Sequence, residues 1–224
     1  MNYVTHADLG GLPGFASASV LPEPEGELFH AGWEPRVLAL TLAMGATGSW
    51  NIDTSRAARE TLPAYGELSY YQVWLAALEA LMLERRLVFP DEIVQGEMQH
   101  APAKVARVLQ AGDVATALAR GSPTSRPEPG PARFAIGQMV RMHHGAVAHH
   151  TRLPGYVQGK RGTIEHIHGA HVFADANAQG LGEQPQWLYN VVFDEAELWS
   201  DGAAGHQNLS VSVDAWESYL EVVA

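Results

Sequence analysis

Residues His149–Thr163 read HHTRLPGYVQGKRGT. This run joins an arginine (Arg152), a turn-forming proline (Pro154), an aromatic (Tyr156) and a Gly-Lys-x-Gly corner from Gly159 to Gly162. It reads as a basic loop feeding a strand. Around it, Met139–Met142, Thr163–Ile167, Leu188–Phe193 and Leu209–Val213 are short β-prone runs separated by Gly, Asp and Asn turns. Short strands at such spacing predict a small β-barrel over residues 133–224.

Upstream, residues 121–132 (GSPTSRPEPGPA) hold four prolines and no core-forming residue larger than alanine, the composition of an extended, exposed linker. Residues 31–120 have a helical texture. Ser69-Tyr-Tyr-Gln72 has the form of a capping box, and behind it Tyr71, Trp74, Leu75, Leu78, Leu81 and Met82 recur on one helical face. Shorter helices are expected at Trp33–Met44, after Asp53, after Pro90-Asp91, and around Lys104–Leu109 and Asp113–Arg120. Residues 1–30 lack a period and are broken by Gly10-Gly11, Pro13-Gly14 and Leu21–Gly26. Their apolar content (Leu9, Leu12, Phe15, Val20, Phe29) favours an extended arm laid on a partner over a disordered tail. The expected class is α+β: an arm (1–30), a helical domain (31–120), a linker (121–132) and a barrel domain (133–224).

Composition excludes several functions. The 224 residues contain no cysteine, so any sulfur-ligated metal chemistry must come from another chain. A formal charge of −11 opposes general nucleic-acid affinity, which needs phosphate-neutralising Lys and Arg. No apolar run approaches the roughly 18 residues of a membrane span. The start, MNYVTHADLGG, lacks the basic and apolar regions of a signal peptide, so a cytoplasmic location is expected.

Single residues carry little by themselves. Arg56 lies on the first turns of a helix and Arg152 in a loop; blind to context, each reads as a solvated arginine. His143, His144, His149, His150, His166, His168 and His171 form a cluster in sequence. His166 and His168 would share a face on one strand and present two imidazoles, but no further ligand stands at a recognisable spacing. Glu23, Glu25 and Glu27 read as a solvated turn, and Lys160-Arg161 as a charged hairpin corner. There is no phosphate-cradling loop, nucleophile elbow or zinc-protease helix motif. No complete active site is visible.

The order of pieces is more informative than any one of them. Met1-Asn2 and His6-x-Asp8-Leu-Gly-Gly11 are followed by Phe29-x-x-x-Trp33-Glu34, Asp53-x-x-Arg56 and Tyr70-Tyr71-x-x-Trp74. Then come Phe134-x-x-Gly137-x-x-Val140-Arg141, His150-x-Arg152-x-Pro154-x-Tyr156-x-x-Gly159-Lys160-x-Gly162, Asp175, Gly180, Glu183, Pro185, Tyr189-x-Val191-x-Phe193, Glu197-Leu-Trp199 and Trp216-Glu-x-Tyr-Leu-Glu221. In this succession the chain resembles the β subunit of nitrile hydratase over nearly its whole length.

The resemblance implies half of a hydro-lyase that turns nitriles into amides, inactive alone and completed by an α subunit in an αβ or α2β2 assembly. In that family the α subunit holds a non-corrin cobalt(III) or non-haem iron(III) through cysteines, two of them oxidised, and the β chain binds no metal. Two β-subunit arginines hydrogen-bond the oxidised cysteines; the matching positions are Arg56 and Arg152. A guanidinium fork suits small oxyanions better than a lysine point charge. Ile52, Tyr70, Tyr71 and Trp74 become candidate walls of an interface pocket for a small nitrile, and Trp74 favours cobalt over iron. The resemblance also implies an SH3-like form for the barrel. Ser55, His149, Ala174 and Ser200 depart from the family pattern, which bears on substrate range. An accessory metal-delivery protein of the same system and a β-like component of thiocyanate hydrolase are the competing readings.

Overall fold

The computed structural model describes residues 4–10, 26–145, 147–199 and 209–223. Most of the expected arm, including Leu12, Phe15, Val20, Glu23 and Glu25, lies outside the described residues, as does Ser200. The chain divides into two compact units, one of helices with residues 4–7 and one of sheet with residues 8–10. The architecture is α+β.

The helical unit holds α1 (Glu34–Ala46), α2 (Ile52–Glu60), α3 (Tyr70–Glu84), α4 (Pro90–Gln95) and α5 (Val114–Arg120). Proline in the first turn starts α1, where its missing N–H costs nothing. The buried Glu34 carboxylate accepts from the His30 and Ala31 N–H groups at 2.6 and 3.3 Å, which closes the turn leading in. At α2 the Asn51 side chain accepts from Thr54 N at 2.8 Å, a cap that starts the helix at Ile52, ahead of the expected Asp53. At α3, Gln72 Oε1 reaches back to Ser69 N at 2.8 Å. Both α1 and α2 pack on α3, and Val37, Val73, Ala77, Leu78 and Leu81 form the buried seam. The expected face is therefore rotated: Val73 and Ala77 go inside, Leu75 is exposed, and Tyr71 and Trp74 are half-buried beside the seam. His6 N donates to Glu60 O at 2.7 Å and straps the first residues to the end of α2.

No helix forms at Lys104–Leu109. Val108 there is 68% exposed, so no packed face offsets the entropy of ordering so short a helix.

The sheet unit holds β1 (Ser125–Arg126), β2 (Met139–Met142), β3 (Arg161–His171), α6 (Ala174–Ala178), β4 (Gln186–Asp194), α7 (Glu195–Leu198), β5 (Ser210–Trp216) and β6 (Leu220–Val222). All its strand pairings are antiparallel, in the order β5-β4-β3-β2-β6, with β1 also on β3. Period-two alternation buries Val140 and Met142 on β2 and Tyr189, Val191 and Phe193 on β4, while Met139 and Arg141 face out. Ile164, Phe134 and Leu198 complete the same core. The proline-rich run is not wholly unpaired: it carries β1, and Arg126 donates to both oxygens of Glu183 at 2.6 Å.

The sheet is antiparallel and β-rich as expected, but its closure into a small barrel is not seen among the described residues. A single 3-10 turn, Glu217–Tyr219, carries the chain from β5 to β6. The two strands pair with opposite ends of the path, β5 on β4 and β6 on β2. Among the described residues no pairing joins β5 to β6, so the sheet is open. Among the described residues, too, no helix is long and apolar enough to cross a membrane.

Candidate functional site

In the helical unit, α2 and α3 present the candidate residues on neighbouring helices. Ile52 and Arg56 are one helical turn apart and both exposed. Tyr70, 66% exposed, meets Tyr71 edge-on at 5.2 Å between ring centroids and Trp74 at 5.4 Å; Tyr71 and Trp74 are 6.0 Å apart. Phe29 extends this tier, with its ring 5.5 Å from Tyr71. Burial, followed by the neighbouring Tyr70, raises the pKa of the Tyr71 phenol, so it stays a neutral donor at physiological pH.

The sequence reading missed Arg59. Its guanidinium lies over the Trp74 ring, 4.2 Å from the centroid, and its Nη2 donates to the buried Ser55 hydroxyl at 2.9 Å. Burial lowers the Arg59 pKa from its ordinary value; Tyr70 opposes this and the charge of Arg56 adds to it. Ser55 therefore acts as the acceptor for a cation fixed on the Trp74 ring. The four-residue spacing of Ser55 and Arg59 was the available signal.

In the sheet unit, Arg152 occupies the loop between β2 and β3. Its backbone N–H is directed at two groups, Tyr219 Oη at 3.0 Å and Asp175 Oδ1 at 3.2 Å. The Tyr219 hydroxyl donates to Asp175 Oδ1 in a short bond. It also accepts from Thr151 Oγ1 at 3.2 Å, and Thr151 Oγ1 in turn accepts from Leu153 N at 3.2 Å. Asp175 and Tyr219 are 2% and 6% exposed. Burial raises the Tyr219 pKa, reinforced by the Asp175 charge, so the hydroxyl remains a donor. Farther along the loop, Gly155 N donates to Asp8 Oδ2 at 2.8 Å, ahead of the 3-10 turn Gly155–Val157. Asp175 and Tyr219 were visible as residues, but they stand 23 and 67 positions from Arg152, beyond any spacing rule.

The other sequence candidates fall elsewhere. His166 and His168 lie exposed on β3 with rings 4.9 Å apart, and His168 Nε2 is 3.0 Å from Asp214 Oδ1. Arg161 is held by Glu197, which accepts from its backbone N at 2.8 Å. Among the described residues no group of three or more His, Cys, Asp or Glu is placed to hold a metal ion. The units offer arginine donors and aromatic surface.

These features define a two-unit α+β chain: aromatic and cationic side chains on a helical pair, and an arginine loop locked to an antiparallel sheet. Residues 1–119 match the family described as nitrile hydratase beta subunit, N-terminal, and residues 123–222 match nitrile hydratase beta subunit, C-terminal. The chain belongs to the nitrile hydratase β subunit family. It is 35% identical to the low-molecular weight cobalt-containing nitrile hydratase subunit beta of Rhodococcus rhodochrous, over 95% of this chain and 96% of that one. It is 34% identical to the cobalt-containing nitrile hydratase subunit beta of Pseudonocardia thermophila, over 96% and 95%. A shorter similarity, 29% identity over 92 residues, links 41% of this chain to 73% of thiocyanate hydrolase subunit alpha of Thiobacillus thioparus.

Proposed function

We propose that this chain forms one half of a nitrile hydratase, completing an interface active site with an α subunit in an αβ or α2β2 assembly. The reaction adds water across a nitrile to give an amide. The observation that carries the reading is that both halves of the β subunit family are matched in one chain, including the segments that bear Arg56 and Arg152. A thiocyanate hydrolase component is the weaker reading, since that similarity spans 41% of the chain. An accessory metal-delivery protein is weaker for the same reason, because it would match only part of the pattern.

The donor set fits a metal held by the partner. With no cysteine, this chain supplies hydrogen-bond donors to the ligand sphere and leaves the sulfur ligands to the α subunit. We assign cobalt(III), in keeping with the relatives named as cobalt-containing and with Trp74; iron(III) is the alternative. Lewis-acid polarisation of the nitrile or of the attacking oxygen is the chemistry the metal supplies when bound. Arg56 and Arg152 each bring a permanent charge and a planar fork of donors to the oxidised cysteine oxygens. Ile52, Tyr70, Tyr71 and Trp74 wall an apolar pocket for the nitrile, with Arg59 fixing the Trp74 ring. The chain alone is inactive, because the electrophilic centre belongs to the partner.

Purification of the tagged chain from its own cells tests the reading. A stoichiometric companion bearing a cysteine cluster and cobalt or iron is expected. Recovery of the chain alone would overturn it. In the complex, Arg56→Lys and Arg152→Lys should preserve assembly and lower kcat about 100-fold or more. Near-normal turnover in both would remove the roles given to these arginines.

A further inference from the structure

We propose that Asp175 and Tyr219 are positioning residues that set the direction of Arg152 by locking the peptide plane on its amino side. The inference rests on the reading of Arg152 above and adds to it the device that aims the side chain. A guanidinium reaches a small oxyanion in register only if the backbone that launches it is fixed, because errors of an ångström at a reacting site cost large factors in rate. Loops do not provide that rigidity by themselves. Here the N–H of Arg152 is held by two acceptors from separate elements of the sheet unit.

Both acceptors are anchored. Asp175 lies in the first turn of α6, where Phe173 N donates to Glu183 O at 2.8 Å and Gln179 Nε2 donates to Asp175 O at 2.8 Å. Tyr219 closes the 3-10 turn before β6, with its ring against Phe173 and Trp216 at centroid distances of 5.9 and 6.0 Å. The Tyr219 hydroxyl donates to Asp175 and accepts from both Arg152 N and Thr151 Oγ1, so one oxygen gathers two consecutive loop residues.

Packing alone would have fastened this loop at lower cost. Leu153 is already 6% exposed in the core, and burying a carboxylate is expensive unless it is well bonded. What the polar pair adds is direction. Apolar contacts resist displacement but do not specify the rotation of a peptide plane, whereas hydrogen bonds do.

The test uses the assembled complex with its partner subunit, in Tyr219→Phe, Asp175→Asn, Asp175→Ala, Arg152→Lys and the double variant Tyr219→Phe/Arg152→Lys. Tyr219→Phe should lower kcat about tenfold while KM stays within about twofold. Asp175→Asn, which keeps an acceptor oxygen, should lose less than Asp175→Ala. Hydrogen exchange at the Arg152 amide should rise in Tyr219→Phe, while the amides of β3 and β4 keep their protection. The double variant should be no slower than Arg152→Lys alone, since a residue acting through Arg152 has nothing left to act through. The inference is overturned if Arg152→Lys is slow but Tyr219→Phe turns over normally, or if the two losses multiply with Arg152 exchange unchanged. Full activity in Arg152→Lys would instead strike the arginine assignment itself. Should Tyr219→Phe fail to assemble, the Asp175→Asn and Asp175→Ala pair carries the same comparison.

Discussion

Gly159 and Gly162 bracket the corner that follows the Arg152 loop, and each is glycine for a different reason. Gly159 has φ +73°, a left-handed conformation that costs an L-residue about 1–2 kcal/mol. Gly162 lies where β3 meets β4; a Cβ there would come within 2.6 Å of Val191 Cγ1 and 2.9 Å of the Val192 carbonyl oxygen. Backbone cannot step aside as a side-chain tip can, so Gly162→Ala should destabilise the chain by about 1–3 kcal/mol, measured by urea unfolding. An unchanged midpoint would mean that β4 yields at this point. The spacing of this corner was legible in the sequence; the two causes were not, because one is a torsion and the other a strand about 30 residues away. The same holds for Arg59, whose partners Ser55 and Trp74 come from two helices.

At the scale of elements, Tyr189 joins β4 to the turn that redirects β5 into β6. Its hydroxyl donates to Glu217 Oε2 at 2.6 Å, and the same oxygen accepts from Arg133 N at 3.0 Å ahead of β2. Burial, then the Glu217 hydrogen bond, raises the Tyr189 pKa above the ordinary 10.0, as burial and Asp175 do for Tyr219. Both tyrosines thus hold their protons more tightly folded than unfolded. Their contribution is complete below pH 10.0 and is lost as pH rises through the raised folded values. Unfolding free energy should therefore fall steadily above that pH. Tyr189→Phe should flatten this alkaline decline while costing about 1–3 kcal/mol at neutral pH. An alkaline slope identical in parent and variant would show that Tyr189 is not among the groups responsible. Periodicity placed α3, and β-prone runs between turn residues placed β2 and β4. The failed helix at Lys104–Leu109 and the rotated face of α3 were not legible in this way, because propensity cannot report which side finds a neighbour.

On the scale of the whole molecule, four exposed apolar side chains of the helical unit fall in one stretch of sequence, residues 94–118. Val94, Met98, Val108 and Leu118 are 86, 73, 68 and 55% exposed. Scattered apolar residues are normal on a surface, but a run of them in a subunit is what a partner covers. Backbone amides over residues 94–118 should exchange quickly in the chain alone and slow on assembly with the α subunit, as read by mass spectrometry. Equal exchange in both states would place the partner elsewhere.

Composition and order of residues determined the class of the chain by themselves. The lack of cysteine, the division into helical and strand-rich halves, and the ordered succession of short motifs all act locally or by kind, so they survive in one dimension. Tertiary structure alone decided that β6 pairs with β2, that Arg59 lies on Trp74, and that the Arg152 backbone is held by Asp175 and Tyr219. Each depends on groups distant in sequence meeting at about 3–4 Å, and hydrogen bonds and ring contacts act only at that range.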